Sequence, residues 1–123
     1  EITTLVIPGL NDDEESLKGI AQFIAQKLGR NTPWHISQFS GTISWKLQHI
    51  EDTPVETLEK AYQLGRQAGL HYVYIGNVLG EEHENTYCPK CGTLVIGRQG
   101  YYITRKDVNG HCPNCHYNLH IIN

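Results

Sequence analysis

The chain has 123 residues, 39% of them apolar and 19% charged, with a net charge of −3. That length allows one domain or two small ones, and the balance excludes disorder and gives no basic surface for nucleic acid. No apolar run approaches twenty residues, so no membrane span is expected.

Residues 2–7, Ile-Thr-Thr-Leu-Val-Ile, are β-branched and nearly continuously apolar, the pattern of a strand buried on both faces. The chain opens at Glu1, directly before this strand, which reads as a fragment or processed piece. Pro8-Gly9 ends the strand, and Asn11 is expected to cap a helix, with Glu14 three residues on. Leu17, Ile20, Ala21, Ile24, Ala25 and Leu28 follow at helical spacing, and Gly29 stops them. The unit recurs. Trp34–Phe39 reads as a second strand, and Thr53-Pro54-Val55-Glu56 opens a second helix. Val55, Leu58, Tyr62, Gly65 and Ala68 mark its packed face, and His71–Ile75 reads as a third strand closed by Gly76-Asn77. Strand–helix–strand–helix–strand implies right-handed crossovers and a parallel sheet. Three such strands with two helices can neither close a barrel nor cover both sheet edges. Residues 1–80 therefore read as part of something larger, or as a surface that self-associates. Trp34, Trp45, Tyr72 and Tyr74 read as packing residues.

Residues 81–87 read as a polar linker, acidic at Glu81, Glu82 and Glu84. From 88 to 123 the style changes. Thr93–Gly97 and Tyr101–Arg105 are short strand candidates around Gln99-Gly100, and Asn109-Gly110 is a turn. All four cysteines of the chain lie here, as Cys88-Pro89-Lys90-Cys91 and Cys112-Pro113-Asn114-Cys115, with twenty residues between the pairs. A two-residue gap turns both sulfurs of a pair toward one point, and two such turns supply four soft ligands to one tetrahedral ion. Zinc is expected, and iron in a rubredoxin-like site competes because spacing does not separate the two. A disulfide framework suits secreted chains, whereas these thiols suit a cytoplasmic one. A thioredoxin-type pair would sit at a βα mouth, and the Cys112–His116 haem pattern leaves the first pair without a role. His111, His116 and His120 flank the second pair as substitute ligands. About 36 residues bury too little to fold without metal.

Several stretches together resemble a known family. Leu5-Val6-Ile7-Pro8-Gly9-Leu10-Asn11-Asp12-Asp13-Glu14-Glu15-Ser16 is similar to a late barrel strand, loop and helix of radical SAM proteins like pyruvate formate-lyase activating enzyme. Trp34–Phe39, Thr53–Leu58, and Tyr72–Val78 leading to Glu84-Asn85-Thr86-Tyr87-Cys88-Pro89 look closest to its AmmeMemoRadiSam-system branch. The resemblance implies the C-terminal part of a partial (β/α) barrel followed by a Cys₄ zinc ribbon. It also implies that the full-length protein uses a [4Fe–4S] cluster to cleave S-adenosylmethionine reductively, with a protein substrate as a candidate partner in the manner of the activating enzymes. Cofactor contacts would come from Ile7, Pro8 and Gly9 through backbone, from His35 and Ser37, and from Asn77. The cluster motif C-x-x-x-C-x-x-C is absent from this sequence, so this chain alone is expected to be catalytically inactive. Its partner would then be the missing half-barrel or a second copy. The alternative is a self-standing zinc-ribbon module that acts through protein contacts.

Overall fold

The computed structural model describes residues 1–78 and 82–122, which divide into two compact units, Glu1–Val78 and Leu79–Asn123. No helix among the described residues is long and apolar enough to cross a membrane.

The first unit runs β1 (Ile2–Val6), α1 (Glu14–Phe23) continued by a π-helical turn (Ile24–Leu28), β2 (Trp34–Gln38), α2 (Val55–Gln67) and β3 (Val73–Gly76). The strands form a parallel sheet in the order β1-β2-β3, with Ile2 opposite Trp34 and Trp34 opposite Val73. Both crossovers step in the same direction. Right-handed connections then place both helices on one face, where they pack on each other and on the sheet. The core is Val6, Leu17, Ala21, Ile24, Trp34, Ile36, Leu58, Ala61, Leu64, Leu70, Val73 and Ile75.

The strand β1 is therefore not buried on both sides. Val6 is fully buried, whereas Thr3 and Leu5 are exposed and Ile2 and Thr4 lie between. The face turned away from the helices carries Thr3, His35 and Tyr74 in one row and Leu5, Ser37 and Gly76 in the next. A parallel sheet normally has helices on both faces. This one is wound to one side.

The helix boundaries depart from their sequence signals in instructive ways. Asp13, not Asn11, caps α1, accepting from the Ser16 N–H at 2.9 Å. Asn11 instead closes the β1 turn: its Oδ1 accepts from Ile7 N–H at 2.7 Å and its Nδ2 donates to Leu5 O at 2.9 Å. Leu28 leaves the packed stripe, at 48% exposure, because the π turn delays its position around the helix. The Gly29 N–H accordingly reaches back five residues to Ile24 O, at 2.9 Å. Val55 is also exposed, and the buried face of α2 is Leu58, Ala61, Leu64 and Gly65. Trp45 does not pack in the core either; it is 80% exposed on the loop after β2.

Thr53 does not cap α2. It is 1% exposed, its hydroxyl donating to Val6 O at 2.6 Å and accepting from Phe39 N–H at 2.9 Å. One side chain thus ties the carboxyl ends of β1 and β2.

Gly65 is where α2 touches the sheet most closely. A Cβ there would lie 2.9 Å from the fully buried Trp34 ring and 3.0 Å from Val73. Trp34 cannot retreat freely, since its Nε1 donates to Thr4 Oγ1 at 3.0 Å. Gly65→Ala should lower the stability of the first unit by about 1–3 kcal/mol, despite alanine's better helix propensity. Denaturant titration of the variant checks this, and an unchanged midpoint would show that the helix shifts at no cost.

The second unit is a separate antiparallel sheet in the order β4 (Thr86–Tyr87), β5 (Leu94–Gln99), β6 (Tyr102–Arg105). Much of the expected linker is thus part of it: residues 82–84 form a 3₁₀ turn and residues 86–87 a strand paired with β5. Arg98 fastens this segment, donating to Glu84 O at 3.0 Å and to Thr86 Oγ1 at 2.7 Å. Residues 79–81, which include the expected boundary at 80 and 81, lie outside the described residues. The β5–β6 turn is Gly100-Tyr101, between the pair Gln99 and Tyr102, with Gly100 at φ +60°. Among the described residues the buried core is Val95, Ile96 and Leu119 with Cys88 and Cys112. Asp107 braces the turn before the second cysteine pair: Arg105 donates to both its oxygens at 2.8 Å and the Gly110 N–H to one at 2.9 Å. Arg105 holds its carboxyl well below the ordinary range, at about 2.

Candidate metal centre

The two cysteine pairs fold into matching turns. In the first, Cys88 N–H donates to Thr93 O at 2.8 Å and Gly92 N–H to Cys88 O at 2.8 Å. In the second, Cys112 N–H donates to Tyr117 O at 2.9 Å and His116 N–H to Cys112 O at 2.9 Å. The residue after each second cysteine adopts positive φ, +76° at Gly92 and +59° at His116. The first cysteine of each turn is buried, Cys88 at 2% and Cys112 at 0%, while Cys91 is exposed and Cys115 intermediate.

These turns bring all four sulfurs within 4.8 Å of one another. Cys88 Sγ lies 3.6 Å from Cys115 Sγ, and Cys91 Sγ 3.6 Å from Cys112 Sγ. Thiolates bound at about 2.3 Å to one tetrahedral ion stand about 3.8 Å apart, so the spacing fits a single metal ion. A four-iron cluster gives each thiolate its own iron and needs the sulfurs farther apart. Zinc and mononuclear iron share this donor set. Thr93 hydrogen-bonds Cys91 through its hydroxyl, 3.1 Å from the sulfur, and its backbone N–H, which draw the thiol down to about 5. At Cys115 the Tyr117 N–H acts downward, but burial and the other three sulfurs outweigh it and push the thiol to about 12.

None of the three flanking histidines joins the cluster among the described residues. His116 occupies the left-handed position that glycine fills in the first turn, His120 also has positive φ, and His111 Nδ1 sits 3.0 Å from Asn109 O. His116→Gly should therefore stabilise the metal-loaded protein by roughly 1 kcal/mol, the usual cost of that conformation for a side chain. A thermal melt showing destabilisation instead would give the imidazole a structural role.

The first unit has its own candidate site at the carboxyl end of its sheet. A cavity of about 580 Å³ is walled by Leu5, Ile7, Phe39, Ile43 and Leu47, with Gln38, Ser40, Ser44 and Asn77 as its polar groups. Among the described residues no charged side chain lines it. Of the residues singled out in the sequence, Ile7 and Asn77 line this cavity. Asn77 has φ +67° and donates to Gln38 O at 3.4 Å. His35 and Ser37 stand on the open sheet face outside it. His35 stacks on Tyr74 with ring centroids 5.0 Å apart and its Nε2 lies 3.1 Å from Glu1 Oε2. Pro8 and Gly9 form the turn between β1 and α1, with Gly9 at φ +79° and its N–H on Asp12 Oδ1 at 3.0 Å. The loop Ser40–Asp52, which supplies one wall, was not singled out by motif. Its signal is length, since thirteen residues without regular structure in a small unit mark a functional loop.

A one-sided parallel sheet with a cavity at its carboxyl end, followed in the chain by a unit built on four converging thiols, defines an α/β chain with a candidate metal centre. No family model matches the chain, and no solved structure matches it. It is similar to uncharacterized protein MJ0808 of Methanocaldococcus jannaschii, with 48% identity over 109 residues. Those residues are 89% of this chain and 32% of that protein, so the chain spans about a third of the relative's length.

Proposed function

We propose that the first unit is a wall of a partial (β/α) barrel in a longer radical SAM protein resembling pyruvate formate-lyase activating enzymes. The second unit is then a structural zinc ribbon of the same protein. The observation that carries the reading is the winding of the sheet. A barrel wall has helices outside, a bare inner face, and its ligand site at the carboxyl ends of the strands. Thr3, Leu5, His35, Ser37 and Tyr74 would be the inner face. The coverage of a third of the relative's length leaves ample chain for the remaining strands.

S-adenosylmethionine and a [4Fe–4S] cluster, when bound, supply a 5′-deoxyadenosyl radical. The cluster ligands would come from another part of the protein, since the four sulfurs here are spaced for a single ion. This chain's residues would bind and exclude water. The apolar walls Ile7, Phe39 and Leu47 suit the face of a neutral ring, while Gln38 and Asn77 offer amide groups to its edge. Without the rest of the barrel, the bare sheet would be covered by a second copy of this chain.

The longer protein, reconstituted anaerobically with iron and sulfide and given a reductant, should convert S-adenosylmethionine to 5′-deoxyadenosine. Asn77→Ala should raise the S-adenosylmethionine concentration needed for half-maximal turnover, and the present chain should bind it weakly or not at all. A longer protein that assembles no cluster and forms no 5′-deoxyadenosine overturns the reading. Elemental analysis of this chain should give one zinc per chain, lost in Cys88→Ser.

A further inference from the structure

We propose that Cys91 is an oxidation site: a hydroperoxide attacks it first, and the product is a Cys91–Cys112 disulfide with the metal expelled. The inference rests on the zinc assignment above. The four sulfurs form one donor set, so access decides which one reacts first. Cys88 and Cys112 are sealed at 2% and 0% exposure, Cys115 is intermediate, and Cys91 is exposed. The outer end of the first turn is open because Gly92, beside Cys91, has no side chain and nothing within 4 Å of where one would begin.

The chemistry balances within the site and one oxidant. The Cys91 thiolate attacks the peroxide oxygen, giving a sulfenic acid and releasing the alcohol after proton uptake. Cys112 Sγ, 3.6 Å away, then attacks the Cys91 sulfur and expels hydroxide, which is protonated to water. Two thiolates lose two electrons, and the hydroperoxide is reduced by two to alcohol and water. The ion is left with Cys88 and Cys115 alone and dissociates, taking with it the main support of a small core of three aliphatic side chains. The unit is thus arranged to convert an oxidant into local unfolding.

The zinc-loaded chain is treated with a limiting amount of tert-butyl hydroperoxide while a colorimetric chelator reads released zinc. Remaining thiols are trapped with N-ethylmaleimide and the peptides mapped; trypsin cuts at Lys90 and separates Cys88 from Cys91. One zinc should be released per peroxide consumed, with Cys91 joined to Cys112. In a parallel sample of loaded chain, limiting N-ethylmaleimide alone should mark Cys91 over Cys115 by about fivefold or more, as exposure dictates. A Cys88–Cys115 disulfide, equal labelling of Cys91 and Cys115, or oxidation without zinc release overturns the proposal. Zinc content measured beforehand separates the two claims. A chain that carries no zinc defeats both, whereas a loaded chain with the wrong map defeats only this one.

Discussion

A strong chelator should unfold residues 82–122 and leave both helices of the first unit in place. The magnitudes decide this. Three buried aliphatic side chains, Val95, Ile96 and Leu119, contribute about 1.5–3 kcal/mol each. So small a core, with short strands, leaves the backbone entropy of ordering the unit to be offset chiefly by the metal. A structural zinc contributes about 10–16 kcal/mol in small domains of this kind. The strand β6 is exposed along its whole length and adds little apolar burial. The first unit needs no such help, because twelve side chains form its core around the fully buried Trp34. Amide spectra should show 82–122 collapsing to random-coil shifts while the helical ellipticity persists. Cys112→Ser should reproduce the effect without chelator. A second unit that stays folded when metal-free, or helices lost at the same chelator concentration, would contradict it.

Thr53→Val should be the most damaging conservative change in the first unit. Valine matches the shape but strands Val6 O and the Phe39 N–H in a site that is 1% exposed. Each stranded group costs about 1–3 kcal/mol. With about 4–8 °C lost per kcal/mol in a domain of this size, the melting temperature should fall by roughly 10 °C or more. Thr53→Ser keeps the hydroxyl and should retain most of the stability. Because Gln38 Nε2 also donates to Thr53 O at 2.8 Å, the valine variant should loosen the cavity wall as well. A valine variant as stable as the parent would mean that water or a backbone shift satisfies both groups.

Much of this architecture is legible in the residues themselves. The alternation of strand and helix patterns gives a parallel sheet, and the spacing of four cysteines gives the thiol cluster. What escapes local reading has a physical cause each time. The run Ile2–Ile7 looks doubly buried because threonine and leucine suit a strand whichever way they face; the winding of the crossovers decides the face. Leu28 matches a helical stripe in sequence, but one π turn moves it to solvent. Thr53 has the residues of a helix cap around it, and only the fold shows that its hydroxyl is claimed by two strand ends forty-seven and fourteen residues away. Asn11 and Asp13 are equally good caps on paper. The turn after β1 takes the first and leaves the second. The cavity draws on Phe39 and a loop with no motif, so composition carried no trace of it.

In the longer protein proposed above, other parts of the chain cover the bare face and edges of the β1–β2–β3 sheet. Hydrogen–deuterium exchange on this chain and on the longer protein, under the same conditions, tests it most directly. The amides of β1 and β3, the two edge strands, should exchange markedly more slowly in the longer protein, and peptides carrying His35, Ser37 and Tyr74 should gain protection with them. Residues 82–122, built around their own thiol cluster, should exchange alike in both. Equal exchange across β1 and β3 in the two proteins would mean that the sheet stands alone, and the chain would then be an independent module.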